Sequence, residues 1–181
     1  RIISSGAEKV IINSYAVENP SFITKLAKYF GKQSIVVSID YQNNFLGRSR
    51  TYTHGGKKSS GIHPLQFAKK MEEAGAGEIM LTSIERESSM KGYDLTLINT
   101  ISKELSIPVI ASGGAGTLED FGNAKVAGAS ALSAGSFFVF QGIHRAYLIN
   151  YPSSDKWDQV MGIEKPTQPL ASSKETTRKT I

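Results

Sequence analysis

Ile107-Pro-Val-Ile-Ala-Ser-Gly-Gly-Ala-Gly116 runs directly into Thr117-Leu-Glu-Asp120. The apolar run behind Pro108 predicts a buried strand, and the glycines after it predict a turn where backbone N–H groups can approach an anion. Thr117 is a candidate N-cap with Asp120 three residues on, so the turn feeds a helix. Strand, glycine turn and helix N-terminus outline a phosphate cradle. Paired glycines also serve tight strand-to-helix connections that hold no ligand, and the segment by itself leaves both readings open.

Outward from this stretch the same unit recurs. Upstream, Glu78–Thr82 predicts a strand, Ser83–Gly92 a loop and Asp94–Leu105 a helix. His63–Gly75 is a helix with proline in its first turn and glycine at its end. Before these come the strand Lys9–Asn13, a helix opened by Asn19-Pro20 and stopped at Gly31, and the strand Ser34–Asp40. The helix gathers Phe22, Ile23, Leu26, Ala27 and Phe30 on one face. Downstream, a helix to about Ala127 leads to a strand over Ala129–Ala134 and, through Gly135-Ser136, to a helix over Phe137–Tyr151. Tyr41–Gly61 interrupts the period with a polar excursion, alternating near Arg50–His54, that predicts an inserted hairpin.

Strands apolar almost throughout, each followed by a helix, predict a parallel sheet with right-handed crossovers. An open doubly wound sheet and a (β/α)8 barrel compete. The strand ends decide: Asn13-Ser14, Asp40, Thr82-Ser83, Ser112-Gly113-Gly114 and Gly135-Ser136 all place polar or glycine residues where a barrel gathers its active site. The expected fold is therefore α/β, the C-terminal five βα units of a (β/α)8 TIM barrel with the N-terminal units missing, over residues 1–152. Residues 153–181 shift to Pro, Ser, Thr and Lys and are expected to be a polar, disordered tail, in which Trp157 and Met161 can pack a short turn onto the barrel.

The 181 residues are 40% hydrophobic and 20% charged, ordinary globular composition. No apolar run approaches the ~18 residues of a membrane span and no signal-peptide pattern opens the chain, so the expectation is a soluble, cytoplasmic protein without a membrane role. Zero cysteines exclude disulfides and thiol chemistry, and His54, His63 and His144 show no metal-ligand spacing, so neither metal nor cofactor is expected. The net charge of +5 raises nucleic-acid binding, but the basic residues are scattered and several lie in the tail (Lys165, Lys174, Arg178, Lys179). An anionic small molecule fits that distribution better than a polynucleotide.

Several segments together resemble one family over residues ~2–150. They are Gly6-Ala-Glu-Lys-Val, Ile12-Asn-Ser14, Val17-Glu-Asn-Pro20, Val37-Ser-Ile-Asp40, His54-Gly-Gly-Lys-Lys58, Gly75-Ala-Gly-Glu-Ile79, Leu81-Thr-Ser83, Gly92-Tyr-Asp94 and Ile110–Gly116. The family is that of HisF, the cyclase subunit of imidazole glycerol phosphate synthase. The resemblance implies a barrel that takes glutamine-derived ammonia from a HisH-like glutaminase partner and adds it to a phosphorylated ribulosyl substrate. It implies Asp40 as one catalytic acid/base, its companion lying on a strand outside this sequence. Addition of ammonia, loss of water and ring closure need proton transfer on both sides of one substrate, which carboxylates at facing strand ends provide.

The same resemblance places one substrate phosphate at Gly113, Gly114, Gly135 and Ser136, with Thr82 at the neighbouring strand end, and the other phosphate at Asn13 and Ser14. It makes Lys9 and Glu78 part of the charged entrance through which ammonia passes. Each assignment has a plainer counterpart: Asp40 as a strand-end cap accepting loop amides, Ser136 as a helix N-cap, and Lys9–Glu78 as an ion pair at the barrel bottom. His54, Lys57 and Lys58 read as a solvated basic loop ahead of a phosphate contact, and His63 and His144 as surface or capping residues.

Two stretches depart from the family pattern. In Ser83–Asp94, Glu85 and Glu87 replace aspartates and Ser88 stands where glycine is usual. An added methylene moves a carboxylate by more than ~1 Å, which matters in a positioned site. Ala134–Pro152 instead resembles a paralogous branch linked to acetamidino modification of surface sugars, in lipopolysaccharide or related glycans. The expected function is that of an ammonia-using barrel subunit of this branch. The alternatives are the authentic histidine-biosynthesis cyclase, forming imidazole glycerol phosphate and an aminoimidazole carboxamide ribotide, and a non-catalytic phosphosugar-binding scaffold for a glutaminase.

Overall fold

The structure, a computed structural model, describes residues 3–141, 146–149 and 151–163. Over these residues the chain runs β1 (Val10–Ile12), α1 (Ser14–Glu18), α2 (Pro20–Phe30), β2 (Ile35–Asn43), β3 (Ser49–Thr53), β4 (Lys58–Ser59), α3 (Pro64–Ala74), β5 (Glu78–Ser83), α4 (Leu95–Glu104), β6 (Val109–Ser112), α5 (Leu118–Val126), β7 (Ala131–Ser133), α6 (Ser136–Val139), β8 (Phe140–Gln141), β9 (Ala146–Tyr147) and α7 (Ser154–Met161). Strands β1, β2, β5, β6 and β7 pair in parallel, each added beside the last. A doubly wound sheet reverses direction at a switch point. This one does not reverse, and the result is five consecutive units of a barrel wall, an α/β partial barrel.

The side-chain period of two explains the layering. Ile35, Val37 and Ile39 of β2, Ile79 and Leu81 of β5, and Val109 and Ala111 of β6 are buried together with Phe67 and Met71 of α3, Ile98 and Ile101 of α4, and Phe121 of α5. Burying each of the large side chains contributes ~1.5–3 kcal/mol, so the helix-facing layer carries the cohesion of the fold. The alternate residues, among them Val36, Ser38 and Asp40, face the barrel interior.

Local signals set the helix ends. His63 accepts at Nδ1 from Leu65 N at 3.2 Å, so it is a capping residue. Asp94 accepts from Leu97 N at 3.1 Å. Thr117 and Asp120 form a complete capping box, and Asp120 also accepts from Gly116 N at 2.9 Å, an arrangement worth ~1 kcal/mol. The polar excursion is a hairpin: β2 continues past Asp40 and pairs antiparallel with β3, which pairs with β4.

The C-terminal segment departs from the expected helix over Phe137–Tyr151. Helix α6 stops at Val139, and Phe140–Gln141 pairs antiparallel with Ala146–Tyr147. Val139 and Phe140 at the break are β-branched and aromatic, residue types of low helix and high strand propensity, and Gly142 stands two residues on in the sequence. The segment expected as polar tail opens with a helix, α7, whose Trp157 stands edge-on to Phe121 at 4.9 Å and whose Met161 packs on the core. His144 and residues 164–181 lie outside the described residues. Among the described residues no helix is long and apolar enough to cross a membrane.

Two expectations test this architecture. A Cβ at Gly77 would lie 2.1 Å from the Lys32 carbonyl oxygen; Gly77→Ala is expected to cost about 1–3 kcal/mol, read as a lower urea midpoint. Burial raises the Glu72 carboxyl's pKa, but hydrogen bonds from the Ser106 hydroxyl and from the amides of Ser106 and Ile107, with the charge of Lys32, outweigh it and hold the group below its ordinary value. A depressed carboxyl stabilises the fold above the ordinary glutamate range, and that contribution is lost as pH falls through the folded value. Glu72→Gln should therefore flatten the acid limb of stability against pH and leave the stability difference smallest at low pH.

Candidate functional site

Parallel register aligns the strand ends. Asp40 of β2 is paired with Thr82 of β5, Thr82 with Ser112 of β6, and Ser112 with Ser133 of β7. Residues in register on a parallel sheet project to the same face, so these four polar residues form one row along the interior rim. Asn13 and Ser14 continue the rim beyond β1, where Ile12 is paired with Val37.

At one end of the row a cleft of about 220 Å³ is lined by Ser112, Gly113, Gly114, Ser133, Gly135 and Ser136, with Glu87 and Ser88 above them. The structure thus brings the four residues expected at one phosphate into a single cleft. Gly113 and Gly114 have φ of +90° and +114°, and a Cβ on Gly114 would meet the Gly92 carbonyl oxygen at 2.2 Å, so glycine is required there on both counts. Ser136 is not an N-cap: Gly135 holds that position, and no side chain caps α6.

At the other end a chain of hydrogen bonds joins the residues. The His54 amide donates to Ser14 Oγ at 2.8 Å, Ser14 to Asn13 Oδ1 at 3.3 Å, Asn13 Nδ2 to Ser38 Oγ at 3.3 Å, and Ser38 Oγ to Asp40 Oδ1 at 3.3 Å. Among the described residues the group that donates to Asp40 is therefore the Ser38 hydroxyl and not a loop amide. Ser38, only 9% exposed, escaped the sequence reading. Its one signal was its place two residues before Asp40, hence on the same face of the strand.

The inserted hairpin is docked here by His54, whose φ is +56° and whose Nε2 lies 3.4 Å from Glu18 Oε1. Lys57 and Lys58 are exposed. The divergent loop after β5 is held at both ends: Glu85 accepts from Asn43 N at 2.9 Å, and Arg86 Nη1 donates to Gly92 O at 3.0 Å. Ser88 takes a left-handed φ of +58°, the conformation that favours the glycine expected at its position.

Below the rim, at the strand starts, Lys9 and Glu78 are ion-paired. They border a depression of about 560 Å³ whose floor is Ile11, Val36, Ile110 and Ala131. The interior face thus carries a charged pair at its lower end, an apolar middle and a polar rim.

Comparison with known proteins matches residues 1–144 to the family described as histidine biosynthesis protein. A Leptospira interrogans protein provisionally named imidazole glycerol phosphate synthase subunit HisF is 44% identical over 157 residues, covering 86% of this chain and 62% of the relative. A Pseudomonas aeruginosa protein provisionally named as subunit hisF2 is 44% identical over 162 residues, covering 87% and 63%. The Alkaliphilus metalliredigens imidazole glycerol phosphate synthase subunit HisF is 45% identical over 141 residues, covering 77% and 56%. The chain spans less than two thirds of the length of each of these relatives. Consecutive barrel units, a polar rim at the strand ends and this extent of match together show that the chain belongs to the histidine biosynthesis protein family, as a HisF-type member.

Proposed function

We propose that the chain is part of an ammonia-using, cyclase-type lyase subunit that receives glutamine-derived ammonia from a HisH-like glutaminase and joins it to a phosphorylated small molecule. The observation that carries this reading is the placement of Asp40 on the interior rim between a glycine-lined cleft and the Asn13–Ser14 pair. A substrate phosphorylated at both ends, lying along the rim, would put its middle against the carboxylate. In this reading Gly113, Gly114, Gly135 and Ser136 hold one phosphate through backbone N–H groups and a hydroxyl, Asn13 and Ser14 hold the other, and Thr82 lies beside the reacting centre.

Asp40 then acts as acid/base. It takes a proton from the attacking ammonia nitrogen or returns one to the departing water, with a second carboxylate at a facing strand end doing the complementary transfer. Ammonia enters past the Lys9–Glu78 pair and crosses the apolar middle of the interior face, where little competes for its hydrogen bonds. The pathway we favour is acetamidino modification of surface sugars, in the cytoplasm, with the divergent Ala134–Pro152 sequence in support.

A scaffold without chemistry is favoured by one observation: Glu87 projects into the anion cleft, its Oε2 within 3.3 Å of a Cβ built on Gly113. The readings separate on Asp40→Asn in the full-length protein, assayed with glutaminase and with ammonium chloride. The expected result is a loss of product formation of at least ~10²-fold with glutaminase binding unchanged; retained product formation would sink the catalytic reading. Conversion of the histidine precursor at full rate, with surface sugars unaffected when the gene is removed, would reject the sugar pathway in favour of the histidine one.

A further inference from the structure

We propose that Ser38 is a positioning residue that ties the Asp40 carboxylate to the Asn13–Ser14 pair at the neighbouring strand end; this rests on the reading of Asp40 as the reacting group. The two end links have their polarity fixed by covalent chemistry. A backbone amide can only donate, so Ser14 Oγ accepts from His54 N at 2.8 Å. The hydroxyl proton of Ser14 is then free for Asn13 Oδ1 at 3.3 Å. The orientation of the Asn13 amide is set from the other end. Ser38 Oγ donates its one proton to a carboxylate oxygen of Asp40, Oδ1 at 3.3 Å, so it accepts from Asn13 at 3.3 Å, and the atom there must be Nδ2, with Oδ1 turned to Ser14. The chain of donors runs one way, from the hairpin turn to the carboxylate.

Two consequences follow for the site. Oδ1 of Asp40 is engaged by Ser38, which leaves Oδ2 to exchange a proton with the substrate and fixes the plane in which it does so. A phosphate bound at Asn13 and Ser14 accepts from the Ser14 hydroxyl and Asn13 Nδ2, the two donors that the chain uses, so filling that end alters the last link to Asp40. Links of 3.3 Å are long hydrogen bonds, of the kind that tighten in a substrate complex. A serine at position 38 has no packing advantage over alanine, since a nearly buried hydroxyl is unfavourable unless bonded. Here it is bonded on both sides, and both partners are site residues.

The test uses Ser38→Ala, Ser38→Thr and Asp40→Asn in the full-length protein, alone and combined. With ammonium chloride and the phosphorylated ribulosyl substrate of the histidine-pathway cyclase, Ser38→Ala should lower kcat about tenfold with KM within about twofold, short of the ~10²-fold cost of gross misplacement. Ser38→Thr, which keeps the hydroxyl and suits a strand, should restore kcat. On the Asp40→Asn background Ser38→Ala should have no further effect, the signature of a residue acting through another. A readout independent of turnover is the nitrogen-15 signal of the Asn13 side-chain amide. It should move on Asp40→Asn when Ser38 is present and stay in place when residue 38 is alanine. An Asn13 signal indifferent to Asp40→Asn, or a Ser38→Ala enzyme with unchanged kcat while Asp40→Asn is inactive, overturns the proposal. Full activity in Asp40→Asn would instead overturn the reading of Asp40 itself, so the two failures are distinguishable.

Discussion

Parallel pairing of β2 with β5, β5 with β6 and β6 with β7 sets the register on which the site depends. Because Asp40, Thr82, Ser112 and Ser133 are mutual partners across four strands, each strand needs only to end in a polar residue for the rim to assemble. A slip of one residue in any strand would turn its polar end toward the helices and its apolar residues toward the interior. The buried layer guards against that slip. Ile35, Val37 and Ile39 on β2 and Ile79 and Leu81 on β5 are at most 1% exposed, and moving them into water would cost several kcal/mol per strand. The helix-facing core, which touches no substrate, is thus what aims the interior rim.

Loops complete the rim through backbone contacts. Gly92 N donates to Gly114 O at 2.8 Å, so the loop after β5 lies directly on the glycine turn after β6. The closeness of that approach leaves no room for a side chain at Gly114. The β2–β3–β4 hairpin is fixed in another way, by the His54 amide on Ser14 and the His54–Glu18 contact. Both loops come after a strand, where a barrel builds its site.

Much of this was legible in the sequence because the signals were local. Gly75 and the Thr117–Asp120 pair mark helix ends by local chemistry, and the structure places a C-cap at Gly75 and a capping box at Thr117 and Asp120, while Pro64 sits in the first turn of α3 behind the His63 cap. The helix expected over Phe137–Tyr151 failed because apolar periodicity cannot tell a short aromatic strand from a helix. The aromatic pairings of Phe121, Phe137 and Trp157 that hold this region join residues far apart in the chain. Ser38 was missed for a different reason: its role lies in bonds to Asn13 and Asp40, one of them across strands, and an isolated serine in an apolar run carries no pattern. The loop after β5 was legible as a departure, and the left-handed φ of Ser88 gives that departure its physical form.

The electrostatics of the cleft bear on how a ligand would be held. Among the described residues lining it there is no lysine or arginine, and one carboxylate, Glu87, is present; Arg86 beside it is turned to the Gly92 carbonyl. An anion there has only backbone N–H groups and hydroxyls to set against a like charge within a few ångströms. That repulsion amounts to a few kcal/mol at the effective dielectric of a protein surface, comparable with what two or three hydrogen bonds to a charged group return. Binding at this end alone is therefore near balance. A ligand that also reaches Asn13 and Ser14 brings the second contact as an intramolecular event, at an effective concentration set by its own length. On the proposed reading that second contact is what favours a molecule anionic at both ends over a lone anion at the cleft, because Glu87 opposes the cleft-end anion by the same amount in either case.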